Sequence, residues 1–331
     1  MALVPIIDIS ALHGEDPAAR LEVARQLDEV CSEIGFFQVR NHGVADHVID
    51  AMYETSKEFF QLPDADKRGV AQPSKDAVRG YSALGEQAFS YSDGVTSPRD
   101  LHEKFDVGPI DVDRSDAYFT PQRSGPHFLQ NEWPTKPTMM KEVWSEYFRE
   151  MNNLARKLMA AFALGLSLDE QYFTSYIDRD ISMLRAINYP HMNKAPDPGQ
   201  MRAGAHTDYG SLTIVRQEQA PGGLEVFTQD GDWVPVPVVE GALVVNIGDL
   251  MAQWTNDRWT STRHRVRTPA PDAAGDTTRM SLVFFHQPNY DAVIECIETC
   301  IEPGDTARYE PVSSGHHLTQ KFEKTIALTD K

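Results

Sequence analysis

The sequence contains few cysteines and no long apolar segment. Three cysteines occur in 331 residues, Cys31, Cys296 and Cys300, and such a sparse, odd set is typical of a reducing compartment rather than of a disulfide scaffold. No run of about 18 apolar residues is present, so no transmembrane helix is expected. The N-terminus has no basic segment before an apolar run, which argues against a secretory signal. We therefore predict free thiols and a cytoplasmic location.

Positive charge is also scarce. Lysine and arginine number 31 against 49 aspartates and glutamates, which gives a formal net charge of −18. A surface this acidic repels a phosphate backbone, so we expect no nucleic-acid partner. The length allows one large domain or two small ones, and the hydrophobic content of 41% is ordinary for a globular protein. We expect no membrane partner, and no segment indicates an oligomeric state.

The first half of the chain predicts helices joined to short strands. The spacing of apolar residues indicates strands over 4–10 and 36–39 and helices over 16–34, 45–60 and 138–164. Residues 69–140 are rich in Gly, Pro, Ser and Asp and show few periodic runs. Long irregular stretches in a compact domain tend to be functional loops or lids, so we predict such loops here.

The second half predicts mostly β-structure. Short β-type segments recur between turn signals, over 182–189, 211–216, 223–228, 232–237, 242–247, 263–268 and 279–286. Many short strands at this spacing are typical of a sandwich or jelly roll. We therefore predict a mainly β fold with flanking helices, arranged as one structural unit. Residues 1–170 would be mostly helical, 180–290 would form a jelly-roll core, and 291–331 would form a helical tail.

Two histidines and a carboxylate form a candidate metal site. His206 and Asp208 are two residues apart, so in a strand both side chains would point to the same face while Thr207 points away. His264 lies in a later predicted strand and is the best third ligand. Two histidines and one carboxylate are the ligand set of non-haem Fe(II) oxygenases. Taken alone, a His-x-Asp pair more often has no metal, and His264 alone is more often a hydrogen-bonded histidine.

A candidate anion site follows fifteen residues after His264. Arg279 and Ser281 share one face at the start of an apolar strand, which indicates a buried position. A buried arginine needs a carboxylate or a similar partner, and its planar group binds a carboxylate through two hydrogen bonds. The serine hydroxyl can add a third. The alternative is an internal salt bridge to one of the 49 acidic residues.

These motifs resemble the Fe(II)/2-oxoglutarate-dependent dioxygenases of the isopenicillin N synthase-like group. The resemblance covers nearly the whole chain. It is carried by GFFQVRNHG at 35–43, RGY at 79–81, KFDVG at 104–108, AHTDYGSLT at 205–213, NIGD at 246–249, WTND at 254–257 and STRHRV at 261–266. It implies a double-stranded β-helix, which is a jelly roll with the iron inside one end. It also implies Fe(II), the cosubstrates 2-oxoglutarate and O₂, and a small-molecule substrate.

The resemblance also implies roles for individual residues. His206, Asp208 and His264 would bind iron, while Arg279 and Ser281 would hold the distal carboxylate of 2-oxoglutarate. Tyr189 would contact the same cosubstrate.

The chain departs from many relatives at Ile187, where they carry an asparagine. Asn188 lies on the opposite strand face and does not replace it. Because Asp208 is present, the ligand set favours hydroxylation, desaturation or cyclisation, with release of succinate and CO₂, over halogenation.

Substrate contacts are expected from two regions. The irregular 79–107 segment and the end of the Arg279 strand supply aromatic and polar candidates. These are Tyr81, Phe89, Tyr91, His102, Phe105, Phe285, Asn289 and Tyr290. Each has an alternative interpretation as ordinary core or loop packing. A further hypothesis is that His102 and Arg99 bind a carboxylate or phosphate of the substrate.

Other functions stay open at this point. An iron oxidase of the isopenicillin N synthase type would use O₂ without 2-oxoglutarate, and its arginine–serine pair would bind the substrate's own carboxylate. A non-catalytic small-molecule binding protein on the same scaffold is a second alternative, although an intact set of metal ligands argues against it. A zinc hydrolase fits poorly with the arginine–serine pair. The sequence does not identify the substrate or the C–H bond that is attacked.

Overall fold

Seven α-helices surround the sheets in the part of the chain that the structure describes. The computed structural model describes residues 4–74, 77–86, 98–192, 196–270 and 273–329. The helices are α1 (Pro17–Glu33), α2 (Asp46–Phe60), α3 (Asp64–Arg68), α4 (Pro121–Ser124), α5 (Met140–Gly165), α6 (Asp249–Trp254) and α7 (Ser314–Thr329). Short 3₁₀ helices occur at Ser10–His13, Ala117–Phe119, Gly125–Phe128, Thr174–Tyr176 and Glu298–Cys300.

Helix α1 shows why these segments begin and end where they do. Asp16 caps its N-terminus by accepting hydrogen bonds from the backbone N–H groups of Ala18 and Ala19, and Pro17 occupies the first turn, where no N–H is needed. Gly35 follows the helix at a φ of 64°, and a side chain there would collide with the carbonyl oxygen of Thr260. Glycine at this position therefore lets β2 start directly against a neighbouring loop.

The strands form two facing sheets and one short pair. The strands are β1 (Ile6–Asp8), β2 (Phe36–Arg40), β3 (Gly80–Ser82), β4 (Glu103–Val107), β5 (Met183–Tyr189), β6 (Ala203–His206), β7 (Leu212–Arg216), β8 (Gly223–Phe227), β9 (Trp233–Pro235), β10 (Ala242–Ile247), β11 (His264–Arg267), β12 (Arg279–His286), β13 (Val293–Ile294) and β14 (Val312–Ser313). The large sheet has the order β1-β2-β10-β7-β12-β5-β4-β3, the small one β6-β11-β8-β9, and β13 pairs with β14.

The two faces of the large sheet have different environments. Alternate residues such as Leu184 on β5 and Leu282 and Phe284 on β12 join the main hydrophobic core, which they share with α1, α2 and α5. The intervening residues, such as Ile187 and Val283, join a second cluster. That cluster also contains residues of β8 and β11 in the small sheet. The large sheet is therefore covered by helices on one face and by the small sheet on the other.

Most predicted elements are present, and three departures matter for the site. The 69–140 region was predicted to be irregular, but β3 and β4 in it pair with each other and β4 pairs with β5. These strands have only three and five residues, too few to show a period. Strand β6 and helix α6 were also missed, because Gly-containing segments of four and six residues carry little periodic signal.

The cysteines are free in the structure. Cys31 is buried, and Cys296 and Cys300 are partly exposed, which agrees with the prediction of free thiols. No helix within the described residues combines the length and apolar character needed to cross a membrane.

The packing of α5 predicts the cost of opening the core. Leu158 on α5 is fully buried in the main hydrophobic cluster. We expect Leu158→Ala to lower the free energy of unfolding by about 2–5 kcal/mol, because it removes apolar contacts and leaves a cavity. Glu146→Ala, at an exposed position of the same helix, should change it by less than about 0.5 kcal/mol. Urea denaturation measures both, and equal values for the two variants would contradict this packing.

Candidate metal centre

His206, Asp208 and His264 converge between the two sheets. His206 ends β6 and His264 begins β11, and the two residues are directly opposite in the antiparallel ladder. Their ring centroids are 4.4 Å apart. Oδ1 of Asp208 lies 3.8 Å from Nε2 of each histidine. Among the described residues, this is the one group of His, Cys, Asp or Glu side chains whose ligand atoms lie close enough to share a metal ion.

Asp208 reaches this group in a way that the sequence argument did not predict. Strand β6 ends at His206, so Asp208 lies in the following turn and not two places along a strand. The turn is held by α6, whose first backbone N–H groups donate to the carbonyls of Asp208, Tyr209 and Gly210. These N–H groups have no partner inside a helix, so the turn and the helix start satisfy each other.

Gly248, just before α6, has no room for a side chain, because a Cβ there would lie 2.3 Å from the carbonyl oxygen of Gly210.

Asp249 connects the two segments that carry the histidines. Its carboxylate accepts hydrogen bonds from Thr207 at 3.1 Å and Ser261 at 2.7 Å, and it forms an ion pair with Lys321 of α7. Thr207 therefore does point away from the metal ligands, as the sequence predicted.

Both histidines are oriented by backbone carbonyls. Nδ1 of His206 lies 2.7 Å from the carbonyl oxygen of Gly204, and Nδ1 of His264 lies 3.2 Å from that of Thr262. A proton on Nδ1 makes these contacts hydrogen bonds and leaves the Nε2 lone pair directed at Asp208. Burial, together with the nearby His264, lowers the pKa of His206 to about 4, so this imidazole is neutral at physiological pH.

Asp208 is held as a carboxylate by its neighbours. Burial alone would raise its pKa, but the two histidines and a hydrogen bond from Asn246 outweigh burial and lower it. Nδ2 of Asn246 donates to Oδ2 of Asp208 at 2.7 Å, which leaves Oδ1 directed at the histidines. The group thus offers two neutral nitrogens and one carboxylate oxygen. That donor set suits octahedral Fe(II) with three positions left for other ligands, whereas a structural zinc site uses four protein ligands.

Arg279 and Ser281 lie on the facing sheet. Nη1 of Arg279 donates to the Ser281 hydroxyl at 2.7 Å. Tyr189 is the cross-strand partner of Arg279, and the guanidinium lies 5.2 Å from its ring centroid. Burial lowers the pKa of Arg279, although an arginine stays charged at any physiological pH. No carboxylate of the described residues lies within ion-pair distance of it, so the internal salt bridge considered from the sequence is not formed there.

One cavity of about 390 Å³ joins the three histidine–carboxylate ligands to the Arg279 pair. Its walls come from the cavity-facing residues of the large sheet and from Ala203, Leu224 and Val266 of the small one. Leu318 and Phe322 of α7 close one side.

Comparison with known proteins agrees with this geometry. A family model described as the 2OG-Fe(II) oxygenase superfamily matches residues 181–288, and one described as the N-terminal region of a non-haem dioxygenase in morphine synthesis matches residues 4–136. Homoarginine-6-hydroxylase 2-ODD-233 of Oryza sativa is 34% identical over 96% of both chains. Validamycin A dioxygenase of Streptomyces hygroscopicus is 32% identical over 96% of this chain and 85% of its own. A full-length Neurospora crassa structure in complex with alpha-KG and thymine has a TM-score of 0.83 at 30% identity, covering 97% of each chain.

The chain belongs to the 2OG-Fe(II) oxygenase superfamily. Its fold is the double-stranded β-helix of that superfamily, with Fe(II) as cofactor and 2-oxoglutarate and O₂ as cosubstrates. The oxygenase acts on a small molecule, as its relatives do.

The predicted substrate contacts separate into wall residues and core residues. Phe285 and Arg99 line the cavity of the oxygenase. Tyr81 and Phe105 belong instead to the main hydrophobic core, where both pack against Phe59. They were placed in an irregular loop by the sequence argument, whereas β3 and β4 turn these side chains toward the helices. Phe89 and Tyr91 lie outside the described residues.

The remaining candidates have structural partners. Nδ1 of His102 is 2.7 Å from the carbonyl oxygen of Arg202, and the histidine does not line the cavity. Asn289 binds the 175–179 segment through its amide, and Tyr290 packs against His127. Asn188 donates to Glu103 at 2.8 Å, on the face of β5 opposite Tyr189, as expected from its position.

Three cationic residues on the cavity wall were not among the sequence candidates. Lys104, Arg185 and Arg79 all line the cavity of the oxygenase. Lys104 and Arg185 are one place away from core residues on β4 and β5, so strand alternation would have placed them on the cavity face had β4 been predicted.

Asn246 gives a test of how the carboxylate ligand is held. We expect Asn246→Ala to weaken Co(II) binding by about 10–100-fold, because partners that orient a metal ligand contribute to metal affinity at this level. Isothermal titration of the apoprotein with Co(II) measures the change. Asn188→Ala removes a similar amide–carboxylate hydrogen bond away from the metal ligands and should leave the affinity unchanged. Equal losses in both variants would mean that the effect is general destabilisation.

Proposed function

We propose that this oxygenase hydroxylates a small molecule at a metal centre formed by His206, Asp208 and His264. Arg279, Ser281 and Tyr189 would hold the distal carboxylate of 2-oxoglutarate. The observation that carries the proposal is the buried Arg279, which faces the same cavity as the ligand group without a described carboxylate to neutralise it. A buried cation of this kind requires an anion, and the distal carboxylate of 2-oxoglutarate supplies one.

The protein's own residues position the reactants. With iron, 2-oxoglutarate and O₂ bound, oxidative decarboxylation to succinate and CO₂ supplies the oxidising power for a C–H bond. The two histidines present neutral Nε2 atoms because backbone carbonyls hold the opposite ring nitrogens. Asn246 keeps one oxygen of Asp208 directed at the centre. The apolar side chains Val283 and Leu224 exclude water around it.

The arrangement also supports a single working unit. We propose that residues 1–331 act together as one oxygenase domain, because β2 from the first half of the chain pairs with β10 from the second. The 1–170 part would support the sheet, 180–290 would carry the site, and 291–331 would cover it. A cytoplasmic location is the expectation that accompanies the free cysteines.

The metal ligands give the most direct test of the reaction. We expect His206→Ala and Asp208→Ala to abolish succinate formation from 2-oxoglutarate, because each removes one of three ligands. Succinate is measured with Fe(II), O₂ and a panel of small amino acids, pyrimidines and aminocyclitols. His47→Ala, at an exposed position of α2, is the matched control. Wild-type rates in either ligand variant would contradict the proposed centre.

The cosubstrate site predicts a graded loss. We expect Arg279→Ala to raise the KM for 2-oxoglutarate by at least about 30-fold, since it removes the charged partner of a buried carboxylate. Ser281→Ala should raise it about 5-fold, because a single hydrogen bond is lost. Thr278→Ala, exposed just before the strand, should have no effect. An unchanged KM in Arg279→Ala would exclude this arginine as the carboxylate anchor.

A further inference from the structure

A buried cluster of charges lies on the cavity wall away from the Arg279 pair. Nζ of Lys104 is 2.5 Å from Oδ2 of Asp106, and Nε of Arg185 is 2.5 Å from Oδ1 of the same carboxylate. The side chains of Lys104 and Asp106 are 2% and 1% exposed. Two cations therefore share one carboxylate in a chain whose acidic residues outnumber its basic ones by 18.

Lys104 is not needed to neutralise Asp106. Asp106 and Arg185 are cross-strand partners, and Arg185 contacts both carboxylate oxygens, through Nε at 2.5 Å and Nη2 at 3.3 Å. That pair by itself joins β4 to β5. An ammonium carries three N–H donors, and Asp106 accepts one from Lys104. Burying a further cation costs free energy, so its presence on a cavity wall indicates a ligand that accepts the other two donors.

Arg79 is a second, independent sign of an anion at this end of the cavity. It precedes β3, whose Gly80 pairs with Asp106 of β4, and its side chain lines the same cavity. Its guanidinium donates only to the backbone carbonyls of Val78 and His127, and its buried Nε has no partner among the described residues. None of the described carboxylates lies within ion-pair distance of it.

The guanidinium of Arg79 rests on Gly108, where a Cβ would overlap it. The backbone thus makes room for this buried charge.

The position of the cluster separates it from the cosubstrate site. Ser281 pairs with Ile187 on β5, and Ile187 pairs with Lys104 on β4. Lys104 is thus two strands, roughly 10 Å, from Ser281 on the same sheet face. In the proposed function, one carboxylate of 2-oxoglutarate binds the metal and the other binds Arg279. Neither is left for Lys104 and Arg79, so the anion at this end must belong to the substrate.

We propose that Lys104 and Arg79 form the substrate-recognition end of the cavity and bind a carboxylate on the molecule that is oxidised. The proposal rests on the proposed function, because it assigns the remaining anion site after 2-oxoglutarate has been placed. Phe285 lies beside this end, with its ring centroid 5.2 Å from the guanidinium carbon of Arg185. The substrate is therefore a small carboxylic acid with an apolar part next to Phe285. The earlier hypothesis of a carboxylate contact is kept, but it moves from His102 to Lys104.

The test uses protein loaded with Co(II) and 2-oxoglutarate, which binds ligands without turnover. Benzoate and hexanoate are titrated by calorimetry against their neutral counterparts, benzamide and hexanamide, and inorganic phosphate is a separate arm. We expect each acid to bind at least about 10-fold more tightly than its amide and more tightly than phosphate. Equal binding of acids and amides overturns the proposal, and preferential binding of phosphate overturns the carboxylate assignment.

Variants of Lys104 locate the effect. Lys104→Met keeps the aliphatic chain and should weaken acid binding by roughly 10- to 100-fold, while amide binding and the Kd for 2-oxoglutarate stay unchanged. Lys104→Arg should restore most of the affinity for the acids. Lys67→Met is the matched control, because Lys67 is also buried and pairs with Glu103 at 2.7 Å, away from the cavity. A loss in 2-oxoglutarate affinity alone would assign Lys104 to the cosubstrate and overturn the proposal.

The pH dependence of binding adds a readout that a purely structural lysine would not affect. Burial and the nearby Arg185 lower the pKa of Lys104 to about 8, although Asp106 and Glu86 oppose this shift. His102, the other titratable neighbour, stays neutral because burial lowers its pKa to about 3. Lys104 is charged below its pKa and loses its proton as the pH rises. Acid binding should therefore decline above about pH 8 in the wild type and stay constant there in Lys104→Arg.

Arg79→Gln keeps the proposal testable if Lys104→Met fails to unfold cooperatively. It should also weaken acid binding by about 10-fold without affecting the amides. Unchanged acid binding in every folded variant at these two positions overturns the proposal. Failure of the proposed function itself appears earlier, as wild-type protein that does not bind Co(II) and 2-oxoglutarate before any acid is added.

Discussion

The polar groups of the site lie between two sheets, where water cannot solvate them, and each therefore depends on a partner from another element. A buried charge or a buried hydrogen-bonding group costs several kcal/mol when it is left without one. Asp208 depends on Asn246 of β10, and the two histidines depend on backbone carbonyls two residues earlier. Because these partners belong to the regular strands and turns, the geometry of the metal ligands follows from the packing of the sheets.

The two sheets contribute different parts of the chemistry. The small sheet carries both histidines, on neighbouring strands in register. The large sheet carries the cationic side chains that select anions, Arg279 on β12 and Lys104 on β4. Asp249 connects the ligand turn, the strand of His264 and helix α7 through one carboxylate. Reaction and selectivity therefore reside on separate surfaces of one cavity, so a change in a cationic wall residue can alter the substrate without altering the metal ligands.

The outcome for individual segments shows which signals in a sequence are reliable. Helix α5 was predicted over 138–164 and observed over Met140–Gly165, because a long apolar stripe has an unambiguous period. Strands β3 and β4 were missed, because their order comes from pairing with β5 and not from local pattern. Tyr81 and Phe105 were consequently placed in the wrong environment. Lys104 was overlooked for the same reason, although it lies next to Phe105 in the chain.

The sequence by itself determined the donor types, their order along the chain and the family to which they belong. Imidazole, carboxylate, guanidinium and hydroxyl groups occur in an order that few other sites share. Only the tertiary structure decided that Asp208 reaches the histidines from a turn, and that Lys104 and Arg79 face the same cavity as Arg279. The physical reason is that strand alternation specifies which side chains share a face, whereas strand pairing and sheet packing decide which faces meet.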